Sequence, residues 1–218
     1  MGRLLRRVLG PIVDVSAQES VTLVMMFAYS FLAMTAYNIL KPITRSQFIS
    51  QLGADNIPYI PLVAAIAIGV IMQGYSRAAG IIPPRWVIPV AQGAMAGLLL
   101  MFWFLFQTGN WVVAAGFYFF GLIMGILLIS QFWTLANEIY DARQAKRLFG
   151  FIGGGAPLGG IAGSAILQSY TTTIGTTNML LISGTLMLCC TRLAVAPKIK
   201  SPSKRWPCVP IATRSQPF

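Results

Sequence analysis

The chain reads as an all-α membrane protein of six transmembrane helices with both termini cytoplasmic, and three observations carry that reading. Six apolar runs contain no Asp, Glu, Lys or Arg: Val21–Leu40, Ile57–Ser76, Trp86–Gln107, Trp111–Asn137, Leu148–Tyr170 and Ile174–Thr191. Each is close to the roughly 20 residues that a bilayer-crossing helix needs. Every one of the 16 Lys and Arg residues except Lys41 and Arg45 stands before the first run, after the last, or in the gaps between runs two and three and between runs four and five. Cytoplasmic loops collect these residues, so that distribution fixes the orientation. Finally, 56% of residues are hydrophobic and 10% charged, against roughly 25% charged in a soluble domain. Too little polar surface is left to cover a water-soluble particle.

Taken in order, residues 1–20 read as a cytoplasmic leader. Arg3, Arg6 and Arg7 resemble the start of a signal sequence, but Pro11 and Asp14 interrupt the apolar core that such a signal requires. The first two runs follow, separated by a segment that carries Lys41 and Arg45. Gly109 and Asn110 are expected to make a tight turn between the third and fourth runs, and the uncharged, Thr-rich Ser169–Gly175 another between the fifth and sixth. Tight connections make neighbouring helices antiparallel. The runs are continuous and rich in Leu, Ile, Met and Phe, where strands of a transmembrane barrel would alternate over about ten residues. Residues 21–193 thus form the bundle. From Ala194 the composition turns to Pro and Lys without a period, so 194–218 reads as a basic disordered tail.

Composition also excludes functions. The net charge of +11 is dispersed over short loops on one side, as topology demands, and no basic run is interleaved with aromatics in a polar segment, so no nucleic acid is expected as a partner. Cys189, Cys190 and Cys208 form no CxxC pattern, which argues against a disulfide framework or a metal site. The absence of His removes the commonest general base and metal ligand. With five acids and no nucleophile motif, an enzyme is not expected, and no cofactor is expected either.

Three segments carry polar groups in places where lipid should discourage them. Tyr37, Lys41 and Arg45 follow at four-residue steps, with Asn38 three residues before Lys41, which makes one stripe on a helix. If the first helix continues towards Leu52, the stripe enters the membrane, where basic residues normally face a cavity or a partner. Two cations four residues apart repel unless an anion lies between them. The alternative is that both side chains snorkel to the outer headgroups. Pro42 marks either a helix end, which favours snorkelling, or a kink, which does not. In the second segment, Gln131, Thr134, Glu138 and Asp141 share a face, with Asn137 beside Glu138. Glu138 either pairs with a cation of a transport pathway or balances Arg143, Lys146 and Arg147. In the third, Gly155, Gly159 and Gly163 recur every four residues beside Pro157. That is the small-residue face that lets membrane helices approach closely, so a packed, bendable helix is expected there. No strand precedes this glycine-rich run and no Gly-Lys-Ser ends it, so it is not a phosphate loop.

The link from Gly74 through Arg77 and Gly80 to Arg85 weakly resembles the loop motif of the major facilitator superfamily, with Ser76 near the place of its usual acidic residue. Leu40-Lys-Pro-Ile-Thr-Arg, with Phe48, Gly53-Ala54 and Pro58-Tyr59, resembles the first-helix signature of the nucleotide exchange (ATP:ADP antiporter) family of bacteria and plastids. Phe132-Trp-Thr-Leu-Ala-Asn-Glu followed by Ala145-Lys-Arg-Leu-Phe-Gly resembles that family's fourth-to-fifth-helix signature. The resemblance spans roughly Val21–Leu193 and implies the N-terminal bundle of a major facilitator-type transporter. It implies exchange of ATP and ADP by alternating access across the cell (inner) membrane. Lys41 and Arg45, with Tyr37 and Asn38, would meet phosphates in a central cavity, and Glu138 with Asn137 would matter for transport.

Such transporters have about twelve helices, with the cavity between two six-helix halves. One half is present, so a truncated or frameshifted product is expected, partnered by a second half in cis or by a second copy of itself. The competing readings are a major facilitator transporter for another solute and a non-transporting membrane scaffold.

Overall fold

The computed structural model describes residues 19–53, 60–82, 84–140 and 142–195, and every regular element within them is helical. The leader to residue 18, the tail from residue 196 and Asp141 lie outside the described residues. Helix α1 (Glu19–Leu52) has 34 residues and runs straight through Pro42. Proline has no N–H to give to the carbonyl of Asn38, yet helical structure continues for ten residues beyond it. Pro42 is therefore internal, not an end, and the whole Tyr37–Arg45 stripe belongs to one helix. Helix α2 spans Ile60–Ile81 and α3 spans Pro84–Leu105.

A 3-10 turn, Phe106–Thr108, ends α3. Gly109 adopts φ 64°, and the Asn110 side chain accepts from the Val112 N–H at 3.0 Å to cap α4 (Trp111–Ile139). This is the expected tight turn, made by a residue that tolerates left-handed backbone and one that caps a helix.

The fifth run is not one helix. The basic segment expected as a connection forms α5 (Ala142–Gly153), with Leu148 and Ile152 buried and Lys146 and Arg147 exposed. Such two-facedness suits a helix at a polar boundary. It breaks at Gly154, and α6 follows over Gly155–Ile174. The next reversal also differs from expectation. Residues 169–174 stay helical, because the Thr171 hydroxyl donates to the Leu167 carbonyl inside the helix and needs no turn. The chain reverses instead at Gly175 (φ 87°), with Asn178 Nδ2 returning to the Ile174 carbonyl at 3.0 Å, before α7 (Met179–Val195).

Among the described residues, four stretches are long and apolar enough to cross a membrane: Val21–Leu52, Trp86–Thr108, Trp111–Ile139 and Ala145–Ile174. The fold is thus helical and membrane-compatible. Side chains such as Ile66 (71% exposed) and Ile161 (68%) face outward. Lipid tails solvate such a surface at no cost, whereas water would not.

Helix α1 is the core of the bundle, touching α4, α5, α6 and α7. Its buried side carries Leu23, Met26, Tyr29, Ala36, Ile39 and Ile43. Contacts fix the directions of its neighbours. Gly155, Gly159 and Gly163 lie against Phe27, Phe31 and Thr35 in rising order, so α6 runs parallel to α1. Gly125 faces Tyr37 and Gly121 faces Thr44, so α4 runs antiparallel. Tyr29 stands beside both Gln92 and Cys190, while Ser183 donates to the Ala36 carbonyl at 3.3 Å, so α7 is antiparallel too.

These approaches are close enough to require glycine. A Cβ on Gly155, Gly159 or Gly163 would stand 2.7, 2.3 or 2.6 Å from a carbonyl oxygen of α1. The glycine stripe expected for helix packing is a seam of that kind. Helix α2 is more loosely attached: a cleft of about 430 Å³, lined by Tyr75, Met95, Phe102 and Phe120 among others, separates it from α3 and α4.

Candidate functional site

Two glycine faces hold α1, and the site lies between them. On one side α6 presses against Phe27, Phe31 and Thr35; on the other, Gly121 and Gly125 of α4 receive Thr44 and Tyr37. The α1 face between these contacts carries Lys41 and Arg45, in line with Ser30 and Met34, which touch α6 at Gly155 and Gly159. Lys41 and Arg45 are exposed on this face.

The two neighbours of Lys41 are fixed by opposite walls. Tyr37 is half-buried over Gly125, where a Cβ would come within 2.5 Å of its Oη. Lys41 Nζ lies 6.0 Å from the centre of the Tyr37 ring, at the limit of cation–π range. Asn38 leans the other way, towards Gly160 and Gly163, with its Nδ2 donating to the Met34 carbonyl at 2.9 Å. Thr44 uses its hydroxyl on the Lys41 carbonyl at 2.8 Å, close to where Pro42 interrupts the backbone ladder. The result is a pair of cations on a rigid helix, with an aromatic ring and an amide on either flank. Such a patch suits a multiply charged anion, because each cation lowers the cost of the other only when negative charge lies between them.

Glu138 and Asn137 are exposed in the last turn of α4, away from this patch. Tyr37 is level with Gly125, and α4 runs antiparallel, so Glu138 lies about 20 Å from that level on the side opposite Lys41. The six substrate-binding candidates therefore divide into a group of four on α1 and a pair at the end of α4. Of the face shared by Gln131, Thr134, Glu138 and Asp141, Gln131 is buried and Thr134 exposed, so those positions do not line a single path.

Between the two groups lies a cavity of about 190 Å³, lined by Ser30, Met34, Leu128, Phe132, Trp133 and Ala156, among others. Its walls come from α1, α4 and the junction of α5 with α6. The Trp133 ring packs edge-on against Phe132 at 5.1 Å and Phe149 at 5.3 Å.

Two glycines of this site escaped the sequence argument. Gly121 and Gly125 are four residues apart within an apolar run, the same signal that marked Gly155, Gly159 and Gly163. No family model, no curated protein and no solved structure matches the chain.

Proposed function

We propose that the chain is the six-crossing N-terminal bundle of a major facilitator-type exchanger for adenine nucleotides, with both ends cytoplasmic, in the cell inner membrane. One observation carries this reading: Lys41 and Arg45 stand exposed on a helix that continues through Pro42, between the sides of that helix that pack on α4 and α6. Helix directions support the crossing count. α6 runs with α1, and α4 and α7 run against it, as the fifth, fourth and sixth crossings of such a bundle would.

The chemistry follows from the pair. A phosphate chain bridges the two cations, relieves their repulsion and takes charge-assisted hydrogen bonds from both. Tyr37 and Asn38 limit how far Lys41 can swing. In alternating access the bound anion lies near the midplane between two halves that rock against each other. Here the second half is a further bundle in cis or a second copy of the chain. The glycine seams of α1 let the helices of this half move as one body.

Proteoliposomes made from the chain and from its extended form test the proposal. Loaded with ADP, they should take up labelled ATP, and Lys41→Ala should abolish that uptake. An unaffected rate would remove Lys41 from the mechanism. Lys41-dependent uptake of a different organic anion, with no ATP exchange, would keep the site and change its substrate.

A further inference from the structure

We propose that the cavity beside Trp133 receives the nucleobase of the solute whose phosphates meet Lys41 and Arg45, with Trp133 as its stacking surface. This rests on the nucleotide reading above and adds the half of the substrate that the cations do not touch.

Four observations converge on it. Ser30 and Met34, which wall the cavity, occupy the same face of α1 as Lys41 and Arg45, so the cavity and the cations lie along one side of that helix. Along that face Met34 lies about 10 Å and Ser30 about 17 Å from Lys41 by helical rise. An extended nucleoside di- or triphosphate spans this range from ring to terminal phosphate. The cavity, about 190 Å³, is smaller than a site for a whole drug-sized ligand, which makes it suitable for one ring system. Its lining carries no charged side chain, and Ser30 supplies its single hydroxyl.

A phosphate chain would be unstable there, because nothing in the wall compensates its charge. A planar, weakly polar base is favoured for the same reason. Trp133 is 42% exposed, and the Phe132 and Phe149 rings meet it at 68° and 62°. An indole held by two neighbours and exposed to this extent offers a stacking surface to a flat ring. Recognition is thus divided: cations on the second half of α1 select the phosphates, and the aromatic cavity selects the base.

The division makes a selective prediction. Binding of radiolabelled ATP and of radiolabelled inorganic tripolyphosphate is measured separately on the whole chain in lipid nanodiscs. Trp133→Ala should weaken ATP about tenfold, equal to ~1.4 kcal/mol, within the range for one base stacked on an aromatic ring. It should leave tripolyphosphate unchanged, and Trp133→Phe should restore most of the loss. Ala33→Leu, which fills the cavity from α1, should give the same selective loss. Lys41→Ala should weaken both ligands.

Equal weakening of both ligands by Trp133→Ala, or no effect on either, overturns the base subsite while leaving the cation pair intact. So does wild-type protein that binds tripolyphosphate as tightly as ATP. Wild-type protein that binds neither ligand overturns the nucleotide reading, and the subsite with it.

Discussion

Gly159→Ala should cost more stability than any other single methyl group added to this bundle. The new Cβ would stand 2.3 Å from the Phe31 carbonyl oxygen, 3.1 Å from the Phe31 carbonyl carbon and 3.2 Å from Met34 Cβ. Carbon and oxygen in close interhelical contact settle at about 3.3–3.6 Å, so α1 and α6 must part by about 1 Å. A gap of that size forfeits up to half of the dispersion well for every atom pair along the seam. Backbone on both sides leaves no flexible group to yield. Overpacking costs typically 1–3 kcal/mol, and a seam of three consecutive glycine steps puts this position near ~3 kcal/mol. That shifts the unfolding equilibrium more than a hundredfold. Gly160→Ala is the control next door: its Cβ meets only the Asn38 amide, Nδ2 at 3.5 Å and Cγ at 3.8 Å, ordinary contacts. It should stay within about 0.5 kcal/mol of the parent, as expected for a change that touches nothing tightly. Unfolding equilibria of both variants, followed in bicelles by helical circular dichroism, decide the matter. Equal stability of the two refutes the packed seam.

Gly125→Ala should behave differently, because its obstacle is the far end of the Tyr37 side chain at 2.5 Å and can swing. Stability should fall by about 1 kcal/mol or less, while ATP affinity falls a few-fold as Tyr37 leaves Lys41; a nucleotide titration reads the second effect. Gln131→Leu should leave the bundle as stable or more so. Its buried amide lies beside the Tyr75 hydroxyl but makes no well-formed hydrogen bond to it, so removing it recovers part of a desolvation cost of about 1–3 kcal/mol. Loss of more than 1 kcal/mol in the same unfolding assay would show that the amide has a partner. Asn178→Ala removes the acceptor of Trp103 Nε1 at 3.1 Å and the bond to the Ile174 carbonyl at 3.0 Å. It should cost about 1 kcal/mol and expose the α6–α7 turn to faster proteolysis.

Much of this architecture was legible before any coordinates, and the misses have physical causes. Gly109-Asn110 announced its turn because a left-handed glycine beside a capping asparagine has few other uses. The Thr-rich stretch before Gly175 suggested a turn too early, because a threonine hydroxyl can satisfy itself on the preceding helical turn, as Thr171 does. The charge-free run from Leu148 concealed a one-residue interruption at Gly154, which leaves no mark in hydropathy because the backbone there keeps helical angles (φ −61°, ψ −20°). Gly155, Gly159 and Gly163 were recognised from their spacing. Gly121 and Gly125 have the same spacing but make only one such step, within the most apolar of the four crossing stretches, where a single pair of small residues does not stand out from its neighbours. Pro42 illustrates the reverse limit. Sequence allowed both an end and an interruption, and only the packing of Ile43, Thr44 and Phe48 on the far side keeps the helix going.

The stripe on α1 faces either an aqueous groove or lipid, and thiol chemistry separates the two. In a chain whose Cys189, Cys190 and Cys208 are replaced by Ser, Lys41→Cys and Arg45→Cys are exposed in turn to a charged, membrane-impermeant thiosulfonate. Ile66→Cys on the outer face of α2 serves as the lipid-facing reference. The rate at 41 and 45 should exceed that at 66 many-fold. Cysteines at 41 and 45 that stay as unreactive as the one at 66 would contradict an anion site on the α1 face between α4 and α6.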